Sequence, residues 1–242
     1  MNIDNLLTNE MSDKSVKLLS STGIADQIDF AMGVSVDDIT TSETILVTIL
    51  VDDSVSMRSN EQTVRDGMEV VRQSLADTKQ ADGIFMMART FSGEVLFPYM
   101  NVQSVPKIDN YRASLSHTPL YDQTLTTAAA VTTKTAIIEN DGISVRTITL
   151  IITDGMDNSS SHDTDAVKMV ITDMLNAEKH IVAGMGIGNN FRDVFLNMGI
   201  ADTWILTPGN TQSDIRNAFN MFSQSAVRVS QTSNIQAAGG FV

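Results

Sequence analysis

The sequence predicts an α/β protein built on a doubly wound, mostly parallel sheet with helices on both faces. Three observations predict it. Two runs, TILVTILV at 44–51 and TITLIIT at 147–153, are apolar or β-branched throughout, the composition of strands buried on both faces of a parallel sheet. Each run stops at an aspartate, Asp52 and Asp154. Between and after them, stretches of helical length alternate with further short apolar runs, the pattern of successive β-α units. Sheets of this kind bind ligands beyond the carboxyl ends of their strands, where the winding order reverses. Both aspartates would sit there.

The elements follow in order. Residues 1–43 form a preamble of short helical pieces, an extension whose apolar positions Val16, Leu18, Leu19, Ile24, Ile28 and Phe30 suit docking on a core. After the strand at 44–51 and a polar loop, residues 61–78 carry Val64, Met68, Val71 and Leu75 at three- and four-residue spacing, an amphipathic helix covering one sheet face. Residues 84–91 and 95–99, separated by Ser92 and Gly93, predict two antiparallel strands joined by a tight turn at one edge. Residues 121–140 are rich in Ala and Thr, place Asp122 to cap, and end at Asn140-Asp141-Gly142, which predicts a helix. The strand at 147–153 leads to a helix at 165–178, a strand at 180–187, a short helix at 191–198 and a last strand at 203–207. A closing helix at 213–229 turns Ile215, Ala218, Phe219 and Phe222 inward, and the polar, then Gly-rich tail at 230–242 is expected to be flexible or ordered only by a partner. The domain proper is thus 44–229.

Composition narrows the function. At 242 residues, 42% hydrophobic and 19% charged, the chain suits one domain with one sizeable core. A formal net charge of -13 argues against nucleic acid and anionic membrane as partners. With no cysteine, thiolate metal sites and cysteine nucleophiles are excluded, so a metal must be held by oxygen or by His117, His162 or His180. The N-terminal stretch lacks both a basic start and an unbroken apolar run. No stretch approaches the roughly 18 apolar residues of a membrane span. The expectation is a soluble protein of the cytoplasm, or one assembled into a larger body such as a virion.

One constellation carries chemistry. In Asp52-Asp53-Ser54-Val55-Ser56 a carboxylate and two hydroxyls recur at every second position, so an extended segment can turn all of them to one side. Thr118 brings another hydroxyl in the loop Ser116-His117-Thr118-Pro119-Leu120-Tyr121-Asp122, and Thr153-Asp154-Gly155 brings the second carboxylate. Hard cations such as Mg²⁺ take about six oxygen ligands and retain waters. Two carboxylates and three hydroxyls match that demand and leave the metal electrophilic enough to accept a partner's carboxylate.

This three-part set, Asp52-x-Ser54-x-Ser56, Thr118 and Thr153-Asp154-Gly155, resembles the metal-ion-dependent adhesion site of von Willebrand factor A-type (vWA) domains. The resemblance covers about 44–229 and implies the three-layer, Rossmann-like vWA fold with one antiparallel edge strand. It implies that Ser54, Ser56 and Thr118 touch the metal through hydroxyls, and that Asp52 and Asp154 bind directly or through water. The ion would be Mg²⁺, or Mn²⁺ or Ca²⁺, and a protein partner's Asp or Glu would complete its shell. The implied function is cation-dependent protein binding, not catalysis. Two features depart from or go beyond the pattern. Ser116-His117 stands where glycines are frequent, and Asp157 and Asn158 follow Asp154 closely, either as hydrogen-bonding support or as extra cation affinity.

Plainer readings stand beside these. A strand-terminal Asp often only caps a turn, and Ser54 and Ser56 could cap the helix beginning near Asn60. Gly184-Met185-Gly186-Ile187-Gly188 lacks the spacing of a dinucleotide fingerprint and follows a late strand, which favours close packing. Met86, Met87, Met169 and Met174 fit core filler; Arg65, Arg72 and Lys79 fit a solvated helix face. His117 could tune partner binding, while His162 and His180 suit a surface and a strand start. A phosphotransferase of the haloacid dehalogenase type is disfavoured because Ser54 stands where that family has a second Asp. The other rival is a structural subunit of a larger assembly, phage or stress-resistance, contacting its neighbours through preamble and tail with the metal incidental.

Overall fold

Strand β1 (Glu43–Val51) is buried at every residue after Glu43, and its near-continuous apolar sequence is what a strand covered on both faces requires. In the computed structural model, which describes residues 3–8, 11–21, 33–188, 191–232 and 239–241, β1 is central. It pairs in parallel with β2 (Ile84–Thr90) on one side and β4 (Ser144–Thr153) on the other. Beyond β4 lie β5 (His180–Gly186) and the short β6 (Ile205–Leu206), both parallel. Strand β3 (Val95–Asn101) runs antiparallel to β2 at the opposite edge, giving the order β3-β2-β1-β4-β5-β6. The turn before it uses Gly93 at φ 88°, the region where glycine is favoured. Residues 203–207, expected as a strand, keep only β6, because Asp202–Trp204 close a 3-10 turn in which the Trp204 amide donates to the Ala201 carbonyl.

Helices cover both faces. On one, α3 (Glu61–Ala76) packs against α7 (Gln212–Gln231) so closely that a Cβ on Gly67 would stand 2.1 Å from the Phe219 ring. On the other lie α4 (Leu120–Asn140) and α5 (Thr164–Asn176). Helix α4 is buried almost all round, and Thr124, Thr126 and Thr135 return their hydroxyls to carbonyls four residues earlier, which satisfies polar groups that have no water. Short α6 (Arg192–Asn197) sets Phe195 over Gly184, and the adjoining Phe191 lies over Gly186. The glycine-rich run on β5 is therefore space for two aromatic rings.

Two helices of the preamble are described. Helices α1 (Ile3–Leu7) and α2 (Asp13–Ser21) lie on α4 and α5, with Leu6, Leu7, Met11 and Leu19 buried. Ser12 binds Asp173 through both its amide, 3.0 Å, and its hydroxyl, 2.6 Å. Ile24, Ile28 and Phe30 fall outside the described residues. The tail differs from the expectation of a free end: helix α7 runs on to Gln231, and residues 239–241 are seated on the domain. The Phe241 amide donates to Thr203, its ring meets Trp204 edge-on at 5.1 Å, and Arg228 donates to the Gly240 carbonyl. One aromatic side chain finding an apolar seat is enough to hold a Gly-rich segment down.

The chain leaves β1 toward β2 through α3 and returns to the other side of β1 at β4. The carboxyl ends of β1 and β4 are thus the switch point of the sheet.

Candidate metal centre

Asp52 follows the last residue of β1, and its amide still donates to the Ile152 carbonyl of β4 at 2.8 Å. That extra ladder step fixes where its side chain emerges. One carboxylate oxygen, Oδ1, accepts the Ser54 amide at 2.8 Å, and Oδ2 accepts the Thr153 hydroxyl at 2.7 Å. The Tyr111 hydroxyl donates to the Asp52 carbonyl at 2.5 Å. Asp52 is fully buried, and each of its carboxylate oxygens keeps a lone pair beyond the one used.

A chain of hydroxyls links it to the second aspartate. Ser54 Oγ lies 2.8 Å from Ser56 Oγ, and the Ser56 hydroxyl donates to Asp154 Oδ1 at 2.6 Å. The segment is held in place from below: the Asp53 carbonyl accepts the amides of Ser114 and Leu115, the Val55 amide donates back to Leu115, and Ser54 bridges Leu115. Asp53 itself turns away from this cluster, its carboxylate accepting the Ser92 amide at 3.0 Å.

Thr118 enters from the loop before α4. Asn158 clamps it from both sides, accepting the Thr118 amide on Oδ1 at 2.7 Å and donating its own amide to the Thr118 carbonyl at 3.1 Å. The Thr118 hydroxyl oxygen and Asp52 Oδ2 come within 3.6 and 3.9 Å of the point where a Cβ on Gly155 would stand. Gly155 therefore borders both of these oxygens, and a Cβ there would make only ordinary contacts. Hydrogen bonds join Asp52, Ser54, Ser56 and Asp154, and Thr118 lies with Asp52 beside Gly155.

The electrostatics are those of acids without bases. Burial pushes the Asp52 carboxyl above the ordinary carboxylate range, opposed by hydrogen bonds from Thr153 and Ser54. Asp154 is pushed the same way, by burial and by repulsion from Asp52, against the hydrogen bond from Ser56. Tyr111 is held far above the usual phenol value by burial and by the field of Asp52, Asp53, Asp154 and Glu61. No basic side chain figures among the influences on either aspartate.

The residues flagged near the site divide by use. Asp157 accepts the Tyr121 amide and the Ser160 hydroxyl, and Asn158 holds Thr118, so both spend their oxygens shaping the loop. Asp122 receives the Ser161 and His162 amides and the His162 ring at 2.6 Å; these outweigh burial and hold its carboxyl below the ordinary value. His117 is exposed beside Ser116 at 3.3 Å, and buried His180 starts β5 bonded to Thr147 at 2.8 Å. Thr153 and Tyr111 were not singled out as site residues. Thr153 carried a signal, its place in Thr153-Asp154-Gly155; Tyr111 lies in an irregular stretch with no periodicity to mark it. Among the described residues no three His, Asp or Glu side chains gather into a metal-binding group; the cluster holds two carboxylates joined by hydroxyls.

Comparison with known proteins extends the fold. No protein-family profile and no curated protein sequence matches the chain. Solved structures do. The pilus adhesin SpaC from Lactobacillus rhamnosus GG, in its open conformation, superposes at TM-score 0.58 and 11% identity over 77% of this chain and 30% of that one. Proximal thread matrix protein 1 from the mussel byssus superposes at 0.53 and 16% identity over 76% of this chain and 48% of that one. A structure of the same byssal protein with a zinc-occupied MIDAS motif superposes at 0.50 and 15% identity, over 76% and 48%. The chain thus spans 30 to 48% of these proteins and shares the vWA-like fold with them. Among the described residues no helix is long and apolar enough to cross a membrane.

Proposed function

We propose that the protein is a divalent-cation-dependent binding module, with Asp52, Ser54, Ser56, Thr118 and Asp154 holding the ion and a protein partner's Asp or Glu completing its shell. The observation that carries this is the unbroken hydrogen-bonded chain Asp52–Ser54–Ser56–Asp154, set at the switch point with two mutually repelling carboxylates and no base between them. Buried like charges are costly unless something neutralises them. A cation does so, and the donor set is all hard oxygen, which suits Mg²⁺, Mn²⁺ or Ca²⁺. When bound, the ion supplies a fixed positive point with open coordination positions for a carboxylate. The protein's own residues do the rest: Thr153 and the Ser54 amide orient Asp52, Asn158 orients Thr118, and Tyr111 anchors the end of β1.

The MIDAS motif of the byssal matrix protein, and the adhesin character of SpaC, support this reading by shared fold. The structural-subunit alternative needs the preamble and tail as contact arms, and their described parts are engaged with the domain itself. Against a phosphotransferase, the position two residues after Asp52 holds Ser54, whose hydroxyl lies in hydrogen-bonding contact with Ser56.

The test is a titration of chelator-stripped protein with Mg²⁺ and Mn²⁺, followed by calorimetry and thermal melting. Binding that raises stability by about 2.7 kcal/mol at a hundredfold excess over Kd is expected for a single native-state site. Wild type indifferent to every divalent ion would end the proposal.

A further inference from the structure

The rim of this site carries the two most exposed large hydrophobic side chains among the described residues. Met156, two residues after Asp154, is 66% exposed, and Val55, between Ser54 and Ser56, is 48% exposed. Single exposed apolar residues are ordinary. Two that flank Ser56 and Asp154, which touch at 2.6 Å, belong to one surface.

That surface adjoins a cleft of about 480 Å³ running from Ser56 and Asp154 toward Asn60, Gly188, Asn210 and Gln212. This volume is within the range that receives small ligands or a short stretch of peptide. Asp154 is the only ionisable group among its lining side chains; the rest are amides, hydroxyls and apolar groups. Primary amides donate and accept at once, as the peptide backbone does. Asn210 is fixed at the rim because its side chain packs on the backbone of Gly188, where a Cβ would stand 2.1 Å from Asn210 Oδ1 and φ is 93°.

We infer that the site takes an extended peptide segment bearing one Asp or Glu between apolar neighbours. Its backbone would lie against Asn60, Asn210 and Gln212, and its apolar neighbours on Met156 and Val55. The inference rests on the cation reading above, since the acidic side chain is directed to the ion. Charge argues for one acid and not a run of them: the chain carries a net charge of -13, and the cleft offers no base to receive a second carboxylate. Within the cleft itself, a further acid would meet Asp154 and no lining base.

The experiment uses the full chain loaded with Mg²⁺ and followed by NMR shift titration with three probes: acetate, a capped Gly-Leu-Glu-Leu-Gly peptide and a capped Gly-Ser-Glu-Ser-Gly peptide. The Leu-flanked peptide is expected to bind at least about tenfold tighter than the Ser-flanked one. Met156→Ser should close that gap with Mg²⁺ and acetate binding unchanged. Asn210→Ala should weaken both peptides and leave acetate alone. Equal affinity of the two peptides, or a Leu advantage that survives Met156→Ser, overturns the inference. If Mg²⁺ and acetate bind but neither peptide outdoes acetate, this inference falls and the cation reading stands; if Mg²⁺ itself does not bind, both fall.

Discussion

At the amino ends of β1 and β4, Glu43 meets Arg146 at 2.9 Å, and close by Lys179 meets Glu139 at 2.7 Å. At the carboxyl ends of the same two strands, Asp52 and Asp154 accept hydroxyls and repel each other, and among the described residues no ion pair to either aspartate is seen. One pair of strands thus ends in compensated charge on one side of the sheet and in uncompensated charge on the other. Compensated pairs near solvent contribute little and are easily exchanged. Clustered acids with one of them buried are unfavourable for the fold unless something neutralises them, which is why this end is the one proposed to bind a cation. The contrast locates function more sharply than either end alone.

The largest effect should come from removing charge at the uncompensated end. Asp52→Asn or Asp154→Asn is expected to lower Mn²⁺ affinity by on the order of 100-fold or more, since loss of a supporting group alone costs about 10–100-fold. The same variants, melted in chelator, should be no less stable than wild type, because each removes one of two mutually repelling carboxylates while keeping its shape. A marked drop in metal-free melting temperature would show that these acids serve the fold, and the contrast between the two ends would dissolve.

A smaller loss, about 10–100-fold in metal affinity, is expected of Asn158→Ala, which removes the side-chain oxygen that accepts the Thr118 amide and leaves the backbone bond to the Thr118 carbonyl. Calorimetric titration beside Thr118→Ala would check it; an Asn158→Ala protein with wild-type affinity would mean that Thr118 needs no support.

A pH experiment adds a third kind of charge. Lys134 is 2% exposed on α4, gives its ammonium to the Val34 carbonyl, and burial pushes its pKa down to about 8 from 10.5. The folded state therefore binds fewer protons than the unfolded state between those values, so this group makes stability rise with pH across that window. Denaturant melts of wild type minus Lys134→Met, at pH 7.5 and at pH 10 (about the two sides of that window), should differ by this rising contribution. A difference that stays flat would remove Lys134 as its source.

The smallest effect belongs to the compensated end. Glu43 is more than half exposed, so Glu43→Gln should cost less than about 1 kcal/mol and leave metal affinity untouched. Urea unfolding of the variant measures the first and Mn²⁺ titration the second. A larger cost would place real weight on the amino end of the sheet.

How much of this was legible depends on the range of the interactions concerned. The buried strands, the amphipathic α3 and the tight turn at Gly93 follow from local pattern, because burial on two faces, on one stripe, or a positive φ each demands its own residue types. The aspartates at the ends of β1 and β4 were legible for the same reason: a charged residue directly after a continuous apolar run marks where a buried strand comes out. The seating of Phe241 on Trp204 and the shortening of the last strand to Ile205–Leu206 were not, since both depend on partners remote in sequence.

By itself, then, the sequence determined the alternation of strands and helices, the two strand-terminal acids and the hydroxyls spaced to join them. Only the tertiary structure decided that Asn158 grips Thr118, that Tyr111 holds the carbonyl of Asp52, and that Thr118 and Asp52 come together beside Gly155. The physical reason is distance along the chain. Side-chain periodicity records which face a residue turns to the core, whereas the bonds from Asn158 to Thr118, Tyr111 to Asp52 and Thr153 to Asp52 join residues 40, 59 and 101 apart, and no local pattern encodes which of many polar side chains will meet.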